Sequence, residues 1–174
     1  MLEYAQEHGL INKIKEGLDP HDSTAELTGL SRKAAKTLNF GLLYGMGVAK
    51  LAKAIGVSDE EAKRFKYRYF DALPGVKGFI RESSRRMESR GYTFNWAGRR
   101  YILEDAKWSY KAANSIIQGG CADIAKRAMV RLGDFFREME TDARMVLQVH
   151  DEVLFEIHPE ALDLISTLKL KMES

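Results

Sequence analysis

Apolar positions along the chain recur mainly at helical spacing and break off where glycine and proline intervene. Leu2, Ala5, Leu10, Ile11 and Ile14 predict a short helical opening, broken at Gly17-Leu18-Asp19-Pro20, with a second helix starting near His21-Asp22-Ser23. One helix is predicted over residues 31–47, with Ser31 as N-cap, Ala34 and Ala35 as strong helix formers, and Gly45 and Gly47 as its stop. At about 100° per residue, Leu38, Leu42 and Met46 share the side that should be core. Arg32, Lys36, Phe40 and Tyr44 wind along roughly the opposite side. Residues 48–55 continue helical to a break at Gly56-Val57-Ser58. Ser58, with Glu61 three residues on, is a capping box for a helix to about Leu73 that Phe65, Tyr69 and Phe70 pack inward. Pro74-Gly75 ends it, and an arginine-rich helix over 76–90 stops at Gly91.

Beyond Gly91 the period changes. Tyr92-Thr93-Phe94-Asn95-Trp96 alternates weakly, and residues 97–102 read as a hairpin turn with a second short strand. Residues 108 to about 139 are helical territory again, with Ala113, Ile117, Ala125 and Met129 as packing and Lys111, Asn114 and Gln118 along one face. Two β-rich runs, 143–149 and 153–157, flank His150-Asp151-Glu152, which predicts a hairpin tipped by two acids and a histidine. The fold class is α+β, mainly helical.

At 174 residues, 45% apolar and 30% charged, the chain is globular by composition and long enough for the core of one domain or for part of a larger one. A net charge of +2 does not by itself point to nucleic acid, so any such binding must come from local clusters. These are Arg32/Lys33/Lys36, Lys63/Arg64/Lys66/Arg68, Arg81/Arg85/Arg86/Arg90 and Arg99/Arg100. Acidic residues at 59–61 make the second cluster an ordinary solvated helix face. The single cysteine, Cys121, excludes an internal disulfide and a cysteine-based zinc site, and it reads as a small core residue. A polar opening and the lack of any long apolar run lead to the expectation of a soluble, intracellular, cytoplasmic protein, in the host cytoplasm if viral, with no membrane partner.

Two places carry chemistry. Three cations at the start of the 31–47 helix lie where the dipole is already positive, a placement that favours a bound anion such as phosphate. With a rise of about 1.5 Å per residue, Arg32 to Tyr44 spans about 18 Å, the length of a nucleoside triphosphate, cationic at one end and aromatic at the other. At the hairpin tip, adjacent carboxylates repel each other and suit a divalent cation, Mg²⁺ preferring carboxylate and phosphate oxygens. Asp22 to Glu26, by contrast, read as a helix start and not as a catalytic cluster.

The run Arg32-x-x-x-Lys36-x-x-x-Phe40-x-x-x-Tyr44-Gly45, with Asn39-Phe40-Gly41 inside it, resembles the fingers-helix motif of family A DNA polymerases. Asn114-x-x-x-Gln118-Gly119 with Ala122-Asp123, and Gln148-Val149-His150-Asp151-Glu152, are similar to two further motifs of that family in the same order. The resemblance implies that Arg32 and Lys36 bind the incoming deoxynucleoside triphosphate, that Phe40 packs at the sugar and that Tyr44 lies beside the templating pair. Phe at position 40 implies a site that screens against nucleotides lacking the 3′-hydroxyl. Asn114 and Gln118 would touch the primer-template minor groove, whose acceptors vary little with sequence. Gln148 and His150 would lie near the primer end, and Arg99 and Arg100 either on template phosphates or solvated in their turn. Where the family often has arginine four residues before the asparagine this chain has Tyr110, which moves the expected cationic contact to Lys111. Asp151 is implied as a catalytic, metal-binding carboxylate supported by Glu152, with Lys36 neutralising charge on the phosphates during two-metal, Mg²⁺-dependent phosphoryl transfer.

On this resemblance residues 1–104 are fingers, with approach helices over 1–30, and residues 105–174 an incomplete antiparallel palm. A second catalytic aspartate belongs to an Asp-Tyr-Ser-x-x-Glu strand that the sequence does not contain, so the chain alone is expected to be inactive or a very poor polymerase. Either a second polypeptide supplies the missing palm strand and thumb, or the chain is a truncated gene product. The alternative is a remnant that binds nucleotide or primer-template without chemistry. An acid-base dyad of His150 and Asp151 in a hydrolase is disfavoured, because adjacent strand residues face opposite ways and no nucleophile is evident.

Overall fold

A computed structural model describes residues 2–102, 104–139, 143–150 and 152–173. The described residues form α1 (Leu2–Ala5), α2 (His8–Lys15), α3 (Pro20–Thr28), α4 (Arg32–Leu43), α5 (Val48–Ile55), α6 (Asp59–Ala72) and α7 (Pro74–Arg90). There follow the strands β1 (Tyr92–Phe94) and β2 (Arg100–Ile102), a 3-10 segment (Ala106–Lys111), α8 (Ala112–Met139), the strands β3 (Ala143–Val149) and β4 (Glu152–Ile157), a short 3-10 turn (Pro159–Ala161) and α9 (Leu164–Glu173). This is the α+β, mainly helical class that the spacing predicts. The chain divides into two compact units, residues 1–117 and 118–174, the boundary falling inside α8.

In the first unit the helix starts are set by short polar side chains. The Asp19 carboxylate accepts from the His21 and Asp22 backbone N–H groups at α3, Ser31 Oγ from that of Ala34 at α4, and Ser58 and Glu61 form the reciprocal capping box of α6. Pro74 opens α7 rather than merely closing α6, taking the first helical position where its missing N–H is no loss. Leu73 offers that helix no cap, and Glu7 replaces it from 68 residues away, its Oε1 accepting from the N–H of Gly75 at 2.7 Å. Helix α4 stops at Leu43, earlier than its apolar spacing suggests, because Gly45 takes φ of 72° and the Met46 N–H turns back to the Gly41 carbonyl at 2.8 Å.

The core of this unit gathers Leu38, Leu42, Leu51, Ala52, Ala62, Tyr69 and Val76, with Met46, Phe65, Phe70 and Phe79 packed around them. Leu38, Leu51 and Val76 are fully buried, each contributing roughly 1.5–3 kcal/mol of apolar transfer free energy. Strands β1 and β2 form the predicted hairpin, pairing Tyr92 with Ile102 and Phe94 with Arg100. Its turn is held by Asn95, whose Oδ1 accepts from the backbone of Ala97 and Arg99.

The second unit has a smaller core of Leu132, Phe136, Ala143 and Leu168, against which Phe135, Met145, Phe155 and Ile157 pack. Strands β3 and β4 are antiparallel, with Val149 opposite Glu152 and a bulge between Met145 and Leu147 that inserts Val146. Val146, Leu147, Val149 and Leu154 stay exposed. Two expectations are corrected here. The packing stripe of α8 runs through Ala112, Ala113, Ile116, Ala128, Leu132 and Phe136, whereas Ile117, Ala125 and Met129 are only half-buried. Cys121 is exposed, not core: the phase of α8 turns Gly120 and Asp123 to the covered side and leaves Cys121 and Ile124 outside. No described helix is long and apolar enough to cross a membrane.

Candidate functional site

Helix α4 has the two faces that its spacing predicts. Leu38 and Leu42 are buried on one, while Arg32, Lys36, Phe40 and Tyr44 are exposed on the other. The rings of Phe40 and Tyr44 stack at 6.0 Å with 21° between their planes, and Lys36 Nζ lies 6.0 Å from the Phe40 ring centre. One turn separates each from the next, so α4 presents a cation, a ring and a second ring in line.

The cationic start of α4 meets anions from within the chain. The Arg32 guanidinium pairs with the Asp19 carboxylate and, through Nε at 3.0 Å, with Asp22. The Arg32 hydrogen bond, followed by the His21 backbone N–H, holds the Asp19 carboxyl below its ordinary value, and the same pair raises Arg32. No carboxylate among the described residues pairs with Lys33 or Lys36. The repulsion of three cations with the helix dipole is therefore relieved at Arg32 and left standing at Lys36.

Sequence reasoning missed His21. Asn39, buried in α4, accepts a hydrogen bond from Thr24 Oγ1 at 2.9 Å and sets its Nδ2 2.9 Å from His21 Nδ1. The imidazole thereby comes to rest against Phe40, ring centres 5.5 Å apart. The only local signal was the cap: Asp19 at α3's start fixes which side chains of its first turn face α4. Gly41 in the Asn39-Phe40-Gly41 run packs closely on Met46: a Cβ there would sit 3.1 Å from Met46 Sδ, so the methionine side chain would have to shift.

Of the predicted nucleic-acid contacts, Arg99 ends the turn between β1 and β2, and its backbone N–H is fixed by Asn95. Lys111 does not reach out alone: its Nζ lies 3.7 Å from the centre of the Trp108 ring. Asn114 and Gln118 stand four residues apart in α8, on neighbouring turns. Asn114 Oδ1 is shut off from solvent with no hydrogen-bond partner among the described residues, an arrangement that disfavours the unliganded fold by about 1–3 kcal/mol.

In the second unit, Gln148, His150 and Glu152 are exposed at the end of the β3–β4 hairpin. The pairing of Val149 with Glu152 leaves a two-residue connection, and His150 takes the φ of 53° that such a tight reversal requires. Gln148 Nε2 donates to the His150 carbonyl at 2.7 Å, bracing the reversal. Asp151 lies outside the described residues. Among those that are described no three metal-binding side chains converge, so Glu152 alone supplies a carboxylate at the tip. Mg²⁺ takes one or two protein carboxylates and fills its remaining positions with phosphate oxygens and water, so Glu152 with its neighbour Asp151 suits it in donor type.

A model of DNA polymerase family A matches residues 1–174. The chain is similar to DNA polymerase I of Pseudomonas aeruginosa at 35% identity, over 94% of this chain and 20% of that protein. Its similarity to the thermostable DNA polymerase I of Thermus aquaticus is 37% over 93% of this chain and 21% of that one. Among solved structures, the POL domain of Pol1 from M. smegmatis in complex with DNA primer-template and dNTP superposes with a TM-score of 0.86 at 29% identity, covering 98% of this chain and 33% of that one. The chain thus spans about a fifth of the length of these curated relatives.

Proposed function

The chain belongs to DNA polymerase family A, and from that premise we propose that it is the nucleotide-binding part of a DNA-directed DNA polymerase, which extends a primer 3′ end with deoxynucleotides under a template. Residues 1–104 act as fingers and residues 105–174 as part of the palm. The observation that carries this reading is the exposed line of Lys36, Phe40 and Tyr44 along one face of α4, backed by the fully buried Leu38. A helix that served packing alone would not keep two stacked rings and an unpaired lysine in water. The M. smegmatis relative, whose structure holds DNA primer-template and dNTP, supports the same partners for this chain.

In the proposed complex Lys36 and Arg32 bind the triphosphate, with Arg32 exchanging Asp19 and Asp22 for phosphate oxygens. Phe40 packs on the sugar with His21 behind it, and Tyr44 bounds the base. Asn114 and Gln118 contact the minor groove, where the orphaned Oδ1 of Asn114 gains a partner. Gln148 and His150 stand at the primer end. Asp151 and Glu152 would hold Mg²⁺, which when bound lowers the pKa of the primer hydroxyl and neutralises the leaving pyrophosphate. On this reading synthesis depends on a further palm strand and a thumb, in the same polypeptide or another, and the two-stranded β3–β4 sheet offers an edge with which such a strand could pair.

Equilibrium binding of deoxynucleoside triphosphate to the chain tests the reading. Lys36→Ala is expected to weaken binding about 10- to 100-fold, the worth of one charge-assisted hydrogen bond to phosphate. Unchanged affinity would remove α4 from the site. Primer extension is expected only when a polypeptide carrying the upstream palm strand and thumb is added. Vigorous extension by the chain alone would overturn the claim of dependence, and nucleotide binding without Mg²⁺ and without turnover in the mixture would identify a binding remnant.

A further inference from the structure

Beyond Tyr44, the line of rings on α4 does not end. Gly45 follows at φ of 72°, and a Cβ built on it would lie 2.8 Å from Tyr110 Cδ2, so glycine at this position is what lets the Tyr110 ring close over the end of α4. Tyr110 in turn meets Trp108, ring centres 6.1 Å apart at 48°. Both rings are more than a third exposed, Trp108 at 38% and Tyr110 at 41%. Two lysines flank them: Lys111 Nζ is 3.7 Å from the Trp108 ring centre and Lys107 Nζ 5.4 Å, the latter also paired with Asp105. The segment is anchored between them, Ser109 Oγ donating to Glu88 of α7 at 2.6 Å.

The geometry points to a stacking platform, formed by Trp108 and Tyr110, for the unpaired bases of the template strand. The inference rests on the reading that α4 holds the incoming nucleotide with its base at Tyr44, because the unpaired template then begins where Tyr110 covers Gly45. Base faces are exposed only in single strands, and stacking on aromatic rings accepts any sequence, as a template-reading surface must. Lys111 lies over one face of Trp108 and Lys107 farther from its centre; a base stacking on Trp108 would use the other face or displace Lys111 toward the strand's phosphates. A tyrosine at position 110, where the family pattern favours arginine, thus puts a ring for a base where a cationic contact would otherwise stand.

Trp108 and Trp96 are the two tryptophans of the chain, so Trp96→Phe leaves Trp108 as the sole reporter. A primer-template with a 5′ overhang of about four nucleotides is titrated against the same duplex made blunt. Binding is followed by Trp108 fluorescence and by anisotropy of labelled DNA. The overhang is expected to bind about tenfold tighter and to quench Trp108, and Trp108→Ala and Tyr110→Ala are expected to erase that preference while leaving the blunt duplex unaffected. Trp108→Leu, which keeps apolar bulk without a π face, is expected to behave as the alanine variants, and far-UV circular dichroism confirms folding. Retention of the tenfold preference in Trp108→Leu, or equal binding of overhang and blunt duplex by the parent, overturns the platform and leaves the polymerase reading standing. Binding of a single-stranded oligonucleotide with quenching, but of neither duplex nor nucleotide, overturns that reading and with it the assignment of the platform to a template strand. Failure to bind any of these ligands overturns both.

Discussion

Helix α4 and the β3–β4 hairpin carry the two parts of the candidate chemistry, and the chain holds them in different ways. Leu38 and Leu42 anchor α4 in a core shared with α5, α6 and α7, so its exposed face is rigidly presented. The hairpin rests on a core of four buried residues, and Val146, Leu147, Val149 and Leu154 along it remain in water. The difference teaches that the face proposed for phosphate stands on a packed core, whereas the hairpin proposed to carry the metal keeps apolar side chains uncovered among the described residues.

Stability measurements press hardest on that contrast. Leu38→Ala empties a fully buried site and is expected to lower the urea-unfolding free energy of the first unit by about 2–5 kcal/mol. Leu147→Ser, on the exposed hairpin surface, is expected to change stability by less than about 0.5 kcal/mol. Comparable losses from both would abolish the distinction.

A smaller effect comes from Tyr69, buried in the first core. Burial, with the charge of Glu7 adding to it, pushes its phenol up to about 12. In the fold Tyr69 therefore stays protonated where the unfolded chain has already ionised, so stability falls as pH rises from 10 and levels off near 12. The loss is on the order of 2–3 kcal/mol, and Tyr69→Phe is expected to remove it from the pH profile of unfolding. An unchanged slope in that variant would mean that the phenol is not confined as the structure has it.

A smaller effect again, with a readout in function as well as in stability, is expected at the Asp19 and Arg32 pair. Asp19→Asn keeps an equally good N-cap and removes the charge. Because the pair is exposed and screened by water, stability should change little. Arg32 then loses its stronger intrachain competitor, and triphosphate affinity is expected to rise about fivefold, a gain of about 1 kcal/mol. A fall in affinity would show that the carboxylate positions Arg32 for phosphate instead of occupying it.

Much of the fold was legible because its determinants are neighbours in the chain. Ser31, Ser58 with Glu61, and Gly91 mark helix ends through hydrogen bonds that span no more than four residues, and the structure places all of them as the letters predict. The two faces of α4 follow from the helical period alone. Less legible were the points where period and composition compete with packing. Cys121 looks like a core residue by type and is turned outward by the phase of α8, and Pro74 looks like a stop and serves as a start.

The sequence by itself determined the order of helices and hairpins, the cation-to-ring succession on α4 and the acid-bearing hairpin, because capping, side-chain period and turn chemistry act within a dozen residues. Only the tertiary structure decided that Asp19 and Asp22 neutralise Arg32, that Asn39 brings His21 to Phe40, that Glu7 caps α7 and that Tyr110 covers Gly45. Those contacts join segments 10 to 68 residues apart. Their existence depends on how whole helices pack, and no local spacing in the chain encodes that.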